Sequence, residues 1–320
     1  MTRLTRRTVL AGAIAAPFIG RAHAQSVIKI VVPFPPGGTV DPIARMAQPD
    51  LQQKLGATIV IENKSGASCS IGTAQVAKSP PDGNTWLFVF DTHAVNPALM
   101  NLPYDTEKDL DPVLLIGTAP YILAKHPSRP WNDFGEVVAA AKAKPDTISF
   151  ATVGSGSVGH LAMAQLSKRA GIKLIHAPYR GGGPAMIDAL AGHVDMIIGS
   201  AALATPQLKA GKLKGVLNTG AKRLPALPDV ATGIEGGFSG FEAYAWWGVF
   251  APGGTPRPLI DRFANALTEI LREEKNARIL QEAQQIELKL GGPDELRTFF
   301  TQQMKTWGAI IREEGIKQDS

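Results

Sequence analysis

A single cysteine, Cys69, is all the thiol chemistry in this chain of 320 residues. One thiol excludes an intramolecular disulfide and gives no thiolate cluster for a metal. His93, His160, His176 and His193 show neither H-x-x-x-H nor H-E-x-x-H spacing, so no metal is assigned. The nucleophile elbow G-x-S-x-G is missing. His160 stands three residues after Ser157, but no acid is placed to orient it, so a helix-capping serine beside a satisfied histidine is the simpler account. No apolar run beyond the first residues reaches the roughly 18 that would span a bilayer. Nor is there a dense basic run with interleaved aromatics, which excludes nucleic acid as a partner.

What is present begins with an export signal. Arg6 and Arg7 precede the short apolar stretch Val9 to Gly20, and Ala22-His-Ala24 offers small residues for cleavage before Gln25. Leu4-Thr-Arg-Arg-Thr-Val-Leu10 resembles the twin-arginine pattern, with an ordinary secretory signal as the alternative. Cleavage there leaves no cysteine to carry a lipid, so the expectation is a free periplasmic protein. Four of the 33 basic residues (Arg3, Arg6, Arg7, Arg21) leave with the signal, so 29 stand against 28 acids in the remainder.

Strand-length apolar runs alternate with helical patterns. Ile28–Val32, Thr58–Ile61 and Thr85–Phe90 read as strands around helices at Ile43–Leu55 and Ile71–Lys78. Thr147–Val153, Lys173–His176, Val194–Ile198 and Leu213–Leu217 continue the series, with helices at Gly159–Ala170, Gly183–Ala191 and Ala202–Ala210. The alternation predicts an α/β fold of parallel sheets with helices on both faces. Pro49 should kink or split the first helix. Beyond residue 250 only helices are expected. Val113–Ala124 and Ala243–Ala251 read as crossovers joining two domains, and Trp246-Trp247 as packing at the second crossover, with stacking on a ligand as the alternative. The division is signal 1–24, first domain 25–121 and 243–320, second domain 122–242.

Three glycine-rich turns between strand and helix carry the candidate chemistry. Phe34-Pro-Pro-Gly-Gly-Thr39 frees backbone N–H groups to converge, and Asp41-Pro42 reads as an N-cap with proline at the first helical position. A helix start of this kind favours an anion. Asp41 itself is either purely structural or a ligand contact acting through water. Gly154-Ser-Gly-Ser-Val-Gly159 has the form G-x-G-x-x-G, yet no acid follows at the ribose-binding distance. Arg180 leaves an NADP-dependent oxidoreductase open as the alternative. A plain glycine turn, and a carboxylate cradle made by Ser155, Ser157 and helix-start N–H groups, are the other readings. The third turn is Tyr179-Arg-Gly-Gly-Gly183.

Taken together, Val32-Pro-Phe-Pro-Pro-Gly-Gly-Thr-Val-Asp41, Val60-Ile-Glu-Asn63, Ala77-Lys-Ser-Pro-Pro-Asp-Gly83, Thr92-His-Ala-Val-Asn-Pro97, Pro178-Tyr-Arg-Gly-Gly-Gly-Pro-Ala185 and Trp247-Gly-Val-Phe-Ala-Pro-Gly-Gly-Thr-Pro256 resemble the Bug family. These are the TctC-like periplasmic solute-binding proteins of tripartite tricarboxylate transporters. The resemblance implies a type II periplasmic-binding-protein fold, two α/β domains closing on a ligand cleft, and no enzymatic activity. It implies a small di- or tricarboxylate or aromatic acid as ligand and no cofactor. Transporter membrane subunits of TctA/TctB type, or a sensor kinase, are the implied partners of a monomeric receptor. Carried over by motif, the ligand-binding positions are Phe34, Pro35, Pro36, Gly37, Gly38, Thr39 and Asp41; Ser68, Cys69, Ser70 and His93; Gly154, Ser155, Gly156, Ser157 and His160; and Tyr179, Arg180, Gly181 and Gly182. Where relatives carry a glycine-rich loop after Asn63, this chain reads Gly66-Ala-Ser-Cys-Ser70, so Cys69 and Ser70 are expected to narrow or polarise the pocket.

Overall fold

A computed structural model describes residues 26–317. The signal segment before Gln25 lies outside the described residues. Three parallel strands open the fold: β1 (Val27–Val32), β2 (Thr58–Asn63) and β3 (Thr85–Phe90), separated by helices α1 (Asp41–Leu55) and α2 (Ser70–Ala77). Helix α3 (Thr92–Leu99) follows, then β4 (Leu110–Lys125), the 16-residue strand that organises the molecule. After α4 (Phe134–Ala143) come β5 (Ser149–Thr152), α5 (Val158–Ala170), β6 (Ile175–Pro178), α6 (Gly182–Ala191), β7 (Met196–Ser200), α7 (Ala201–Lys209) and β8 (Lys214–Asn218). The chain returns through β9 (Tyr244–Pro252), α8 (Arg257–Arg272), α9 (Glu274–Arg278), a π-turn at Ile279–Ala283, β10 (Glu287–Gly291) and α10 (Pro293–Glu314). The strand order is β2-β1-β3-β9-β4-β7-β5-β6, with β8 and β10 also paired to β4.

Strand β4 belongs to two sheets in succession. Leu110 to Pro120 pairs antiparallel with β9, whereas Tyr121 to Lys125 pairs with β7 and β8. The register fixes where the parallel strands end. In the first sheet Phe90, the last residue of β3, lies opposite Trp247 of β9, which lies opposite Gly117 of β4. In the second sheet Ser200, the last residue of β7, lies opposite Tyr121. The carboxyl ends of both parallel sets therefore meet at Gly117–Tyr121, the position where open α/β sheets place their ligands.

Three expectations are corrected. Pro49 does not split the first helix: α1 runs from Asp41 to Leu55 in one piece. The ring sits on the exposed face, where water can take the freed carbonyl, while Ile43, Ala44, Ala47 and Leu51 hold the opposite face in the core. A strand does occur beyond residue 250: β10 pairs antiparallel with β4, and a Cβ at Gly117 would stand 2.5 Å from the Glu287 carbonyl oxygen. Lastly, Asp41 is not the N-cap. Val40 holds that position without a side-chain cap, and Asp41 is the first helical residue.

The core divides by the faces of the sheets. Trp246 and Trp247 alternate in direction, as neighbours in a strand must. Trp246 packs edge-on against Phe299 and Phe300, whereas Trp247 meets Phe90 at a ring distance of 5.2 Å. Both indoles are fully buried beside the point where the sheets join.

Candidate functional site

Five turns leave the converging strand ends. The first, after β1, is braced from within. The Asp41 carboxylate accepts hydrogen bonds from Gly37 N (3.3 Å), Arg45 Nε (2.9 Å) and Asn63 Nδ2 (2.9 Å). Asn63 also donates to the Phe34 carbonyl (3.2 Å) and accepts from Arg45 Nη2 (2.9 Å). Burial alone would raise the Asp41 carboxyl, but the bonds from Arg45, Asn63 and Gly37, with the guanidinium charge, hold it below the ordinary carboxylate range. Its oxygens are thus occupied in shaping the loop. Gly37, at φ +81°, adopts a conformation that a side chain would strain. Thr39 Oγ1 accepts from Trp247 Nε1 at 3.3 Å, and Phe34 rests edge-on against Phe90. Pro35, Pro36, Gly37 and Gly38 are exposed.

The second turn, between β2 and α2, holds three consecutive non-glycine residues at positive φ: Ala67, Ser68 and Cys69. Asn96 Nδ2 pins it by donating to the Ser68 carbonyl at 2.6 Å, and Thr73 Oγ1 donates to the Cys69 carbonyl. Cys69 does not polarise the cleft. Its sulfur is buried and accepts from Asn96 Nδ2 at 3.2 Å, and burial pushes the thiol up to about 11. Ser70 is likewise buried, in the first turn of α2.

At the third turn, Asp91 follows β3 with no exposure at all. Its Oδ2 accepts a hydrogen bond from the Tyr121 hydroxyl, and Oδ1 is buried with no hydrogen-bond partner among the described residues. Burial raises this carboxyl to about 8, so it is protonated at neutral pH. The Tyr121 ring lies under the start of α5, where a Cβ on Gly159 would approach it to 3.3 Å. The pair therefore joins the two sheets where β4 passes from one to the other. His93, two residues on, is withdrawn from the candidate set. It is fully buried, stacked on Phe300 (5.0 Å) and edge-on to Phe250 (4.9 Å), in the apolar cluster that also holds Trp246. Burial lowers its pKa to about 3.

The fourth turn, Gly154–Ser157, uses several of its N–H groups internally. Gly154 N donates to Thr152 Oγ1, Gly156 N to His160 Nδ1 (3.0 Å), and Ser157 N to the Gly154 carbonyl (3.2 Å). Ser157 caps α5 by accepting from His160 N at 3.3 Å. His160 stacks on His176 at 3.8 Å, and His176 Nε2 meets Thr152 Oγ1 at 2.8 Å. A Cβ at Gly156 would lie 2.2 Å from Leu99 of α3, so this loop of the second sheet closely approaches the helix that follows β3 in the first. The N–H groups of Val158 and Gly159, in the first turn of α5, have no intrahelical acceptor.

The fifth turn precedes α6. Tyr179 turns its hydroxyl to Asp188 Oδ2 (2.7 Å), and burial together with that bond pushes the phenol up to about 12. Gly181 takes φ +115°. Arg180 is exposed and makes no ion pair among the described residues. The structure thus brings the first, third, fourth and fifth turns to one place. Reading residues one at a time missed Asn63, Asp91, Leu99, Tyr121 and the contact of Trp247 with Thr39. Asn63 and Asp91 stand at strand ends, which was the available signal.

Loops and helix starts gathered at the carboxyl ends of two joined α/β sheets define a two-lobed binding protein. Residues 43–316 match the tripartite tricarboxylate transporter family receptor, TctC, and the chain belongs to that family. It is 33% identical to the protein BugT of Bordetella pertussis, over 95% of this chain and 94% of that one. A solved Rhodopseudomonas palustris protein carrying adipate superposes with TM-score 0.85 at 29% identity, covering 91% of this chain and 98% of the other. MatC of the same organism, solved with malate, superposes with TM-score 0.81 at 29% identity, over 89% and 98% of the two chains. These findings give no support to the NADP-dependent oxidoreductase reading of Gly154–Gly159. No described helix is long and apolar enough to cross a membrane.

Proposed function

We propose that this chain is an exported periplasmic receptor that captures a small dicarboxylate between its lobes and delivers it, unchanged, to transporter membrane subunits. The observation that carries the reading is the meeting of both sets of strand ends at Gly117–Tyr121. Residues 25–121 and 243–320 would form one lobe and residues 122–242 the other, hinged at the middle of β4 and at the start of β9. Similar proteins hold adipate and malate, both dicarboxylates.

The residues suit two separated anions. One carboxylate would meet the Thr39–Asp41 N–H groups and the open first turn of α5, beside Ser155. The other would meet the start of α6 and the Arg180 guanidinium. A carboxylate at one helix start gains about 0.3–1 kcal/mol when exposed and about 2 kcal/mol when partly buried. Micromolar affinity needs about 8 kcal/mol, so several donors and exclusion of water must act together.

Two glycines allow a test that leaves the fold intact. Among the described residues, a Cβ on Gly183 meets nothing within 4 Å, and one on Gly38 meets only the Pro35 carbonyl oxygen at 3.5 Å. Gly38→Val and Gly183→Val should each weaken calorimetric binding of malate or adipate at least tenfold, with little change in Tm. Unchanged affinity in both variants would refute this location for the site.

A further inference from the structure

Charge is divided unevenly between the two lobes. Residues 122–242 hold 13 Lys and Arg against 8 Asp and Glu, whereas residues 25–121 and 243–320 hold 16 against 20. The excess gathers on one edge of the second sheet. Lys142 lies in the last turn of α4 and Lys144 follows it, Lys173 precedes β6, Lys209 ends α7 and Lys212 follows it, and Lys214 opens β8 opposite Lys125, the last residue of β4. The register puts Lys125 opposite Met196, the start of β7, so this edge is the one remote from the strand ends that face the cleft.

The six lysines other than Lys125 are exposed, and none has an ion-pair partner among the described residues. In the other lobe Lys29, Lys54, Lys108, Lys275 and Lys289 are each paired to an acid. Helix dipoles account for Lys142 and Lys209, which lie in last turns, but not for the four outside helices. The acids on this edge are few. Asp195 is committed to Arg129 at 2.7 Å, Glu136 accepts from Asn132 N, and Asp133 caps α4, leaving Asp146 and Asp229, the latter brought beside the start of β8 by the Asn218–Thr232 bridge. Half-buried Trp131 and Ile175, 46% exposed at the start of the outermost strand, add apolar groups among the lysines.

We propose that this basic edge rests on anionic phospholipid headgroups of the membrane that faces the protein. Unpaired lysines on flexible stems suit a fluid layer of phosphates better than one fixed carboxylate geometry, for which arginine forks serve. A tryptophan and an isoleucine on the same rim suit the headgroup boundary. Attachment by this edge leaves the cleft free. The proposal rests on the periplasmic placement but not on the identity of the ligand.

The test is co-sedimentation of the chain from Gln25 onward with vesicles of phosphatidylethanolamine and phosphatidylglycerol, against vesicles of phosphatidylcholine alone. Binding should be confined to the anionic vesicles at low ionic strength and be lost at about 0.5 M salt, where the screening length falls to roughly 4 Å. Each lysine near such a surface is worth roughly fivefold. Lys144→Glu, Lys173→Glu and Lys212→Glu together should therefore weaken binding at least tenfold. A control triple in the other lobe, Lys64→Glu, Lys78→Glu and Lys305→Glu, should change it far less. Dicarboxylate affinity should be the same in both triples, which separates failure here from failure of the receptor reading. Equal binding to both vesicle types, or equal loss in the two triples, would overturn the proposal. So would attachment only to membranes containing protein, which would assign the edge to an acidic protein surface.

Discussion

Replacing Asp91 by asparagine tests the electrostatics at the junction of the lobes. The carboxyl titrates near 3.8 in an unfolded chain and is raised to about 8 by burial in the fold. Between those values the native state holds a proton that the unfolded state has released, so stability falls as pH rises through this window. Each pH unit costs about 1.4 kcal/mol, and the whole window amounts to roughly 6 kcal/mol. The carboxamide of the variant would keep the shape, stay neutral, and still accept from the Tyr121 hydroxyl. Urea unfolding at pH 5, 6.5 and 8, followed by tryptophan fluorescence, should show Asp91→Asn gaining on the natural chain by about 4 kcal/mol from pH 5 to pH 8. Other titrating groups cancel in that difference. Dicarboxylate binding should also weaken above pH 8 in the natural chain alone, because ionised Asp91 puts a second anion beneath the cleft. Parallel stability curves for the two proteins would refute the reasoning.

The buried histidine gives the opposite pH signature. His93, lowered from 6.5 to about 3, is neutral in the fold, so its contribution is complete above pH 6.5 and is lost as pH falls toward 3. Unfolding free energies at pH 7, 5 and 4 should fall by about 1.4 kcal/mol per unit more steeply in the natural chain than in His93→Leu; identical slopes would place the imidazole in a wetter environment. Asp41→Ala should lower stability at pH 7 by about 1–3 kcal/mol and weaken carboxylate binding, since the carboxylate holds the loop and Arg45 and Asn63 lose their acceptor. The Asp41 contribution should fade as pH drops below 3.8, the direction expected of a carboxyl held below its ordinary value. A variant with full affinity would show that the loop keeps its shape unaided.

The alternation of apolar runs with helical patterns made the parallel sheets legible, and glycine turns marked the loops at their ends. Val113–Ala124 was readable as a strand passing beyond one core because its apolar run is too long for one sheet. Other features depended on distant partners. Glu287–Gly291 is a strand only because Gly117, far earlier in the chain, lets it approach β4. Pro49 was read by a local rule that ignores which face of α1 is buried. Asp41 looked like a cap, since the bond from Asn63 across 22 positions is invisible in a local pattern. His93 and Asp91 are two residues apart, yet one points into a phenylalanine box and the other meets Tyr121 at the lobe junction. That distinction belongs to the fold alone.

Isothermal titration of the chain from Gln25 onward with malate, adipate and their monocarboxylate counterparts addresses the receptor reading most directly. Saturable one-to-one binding of a dicarboxylate is expected, with Arg180→Ala costing the dicarboxylate about tenfold and the monocarboxylate little. No heat from any small organic acid, or an affinity indifferent to both Arg180 and Gly183, would contradict the account.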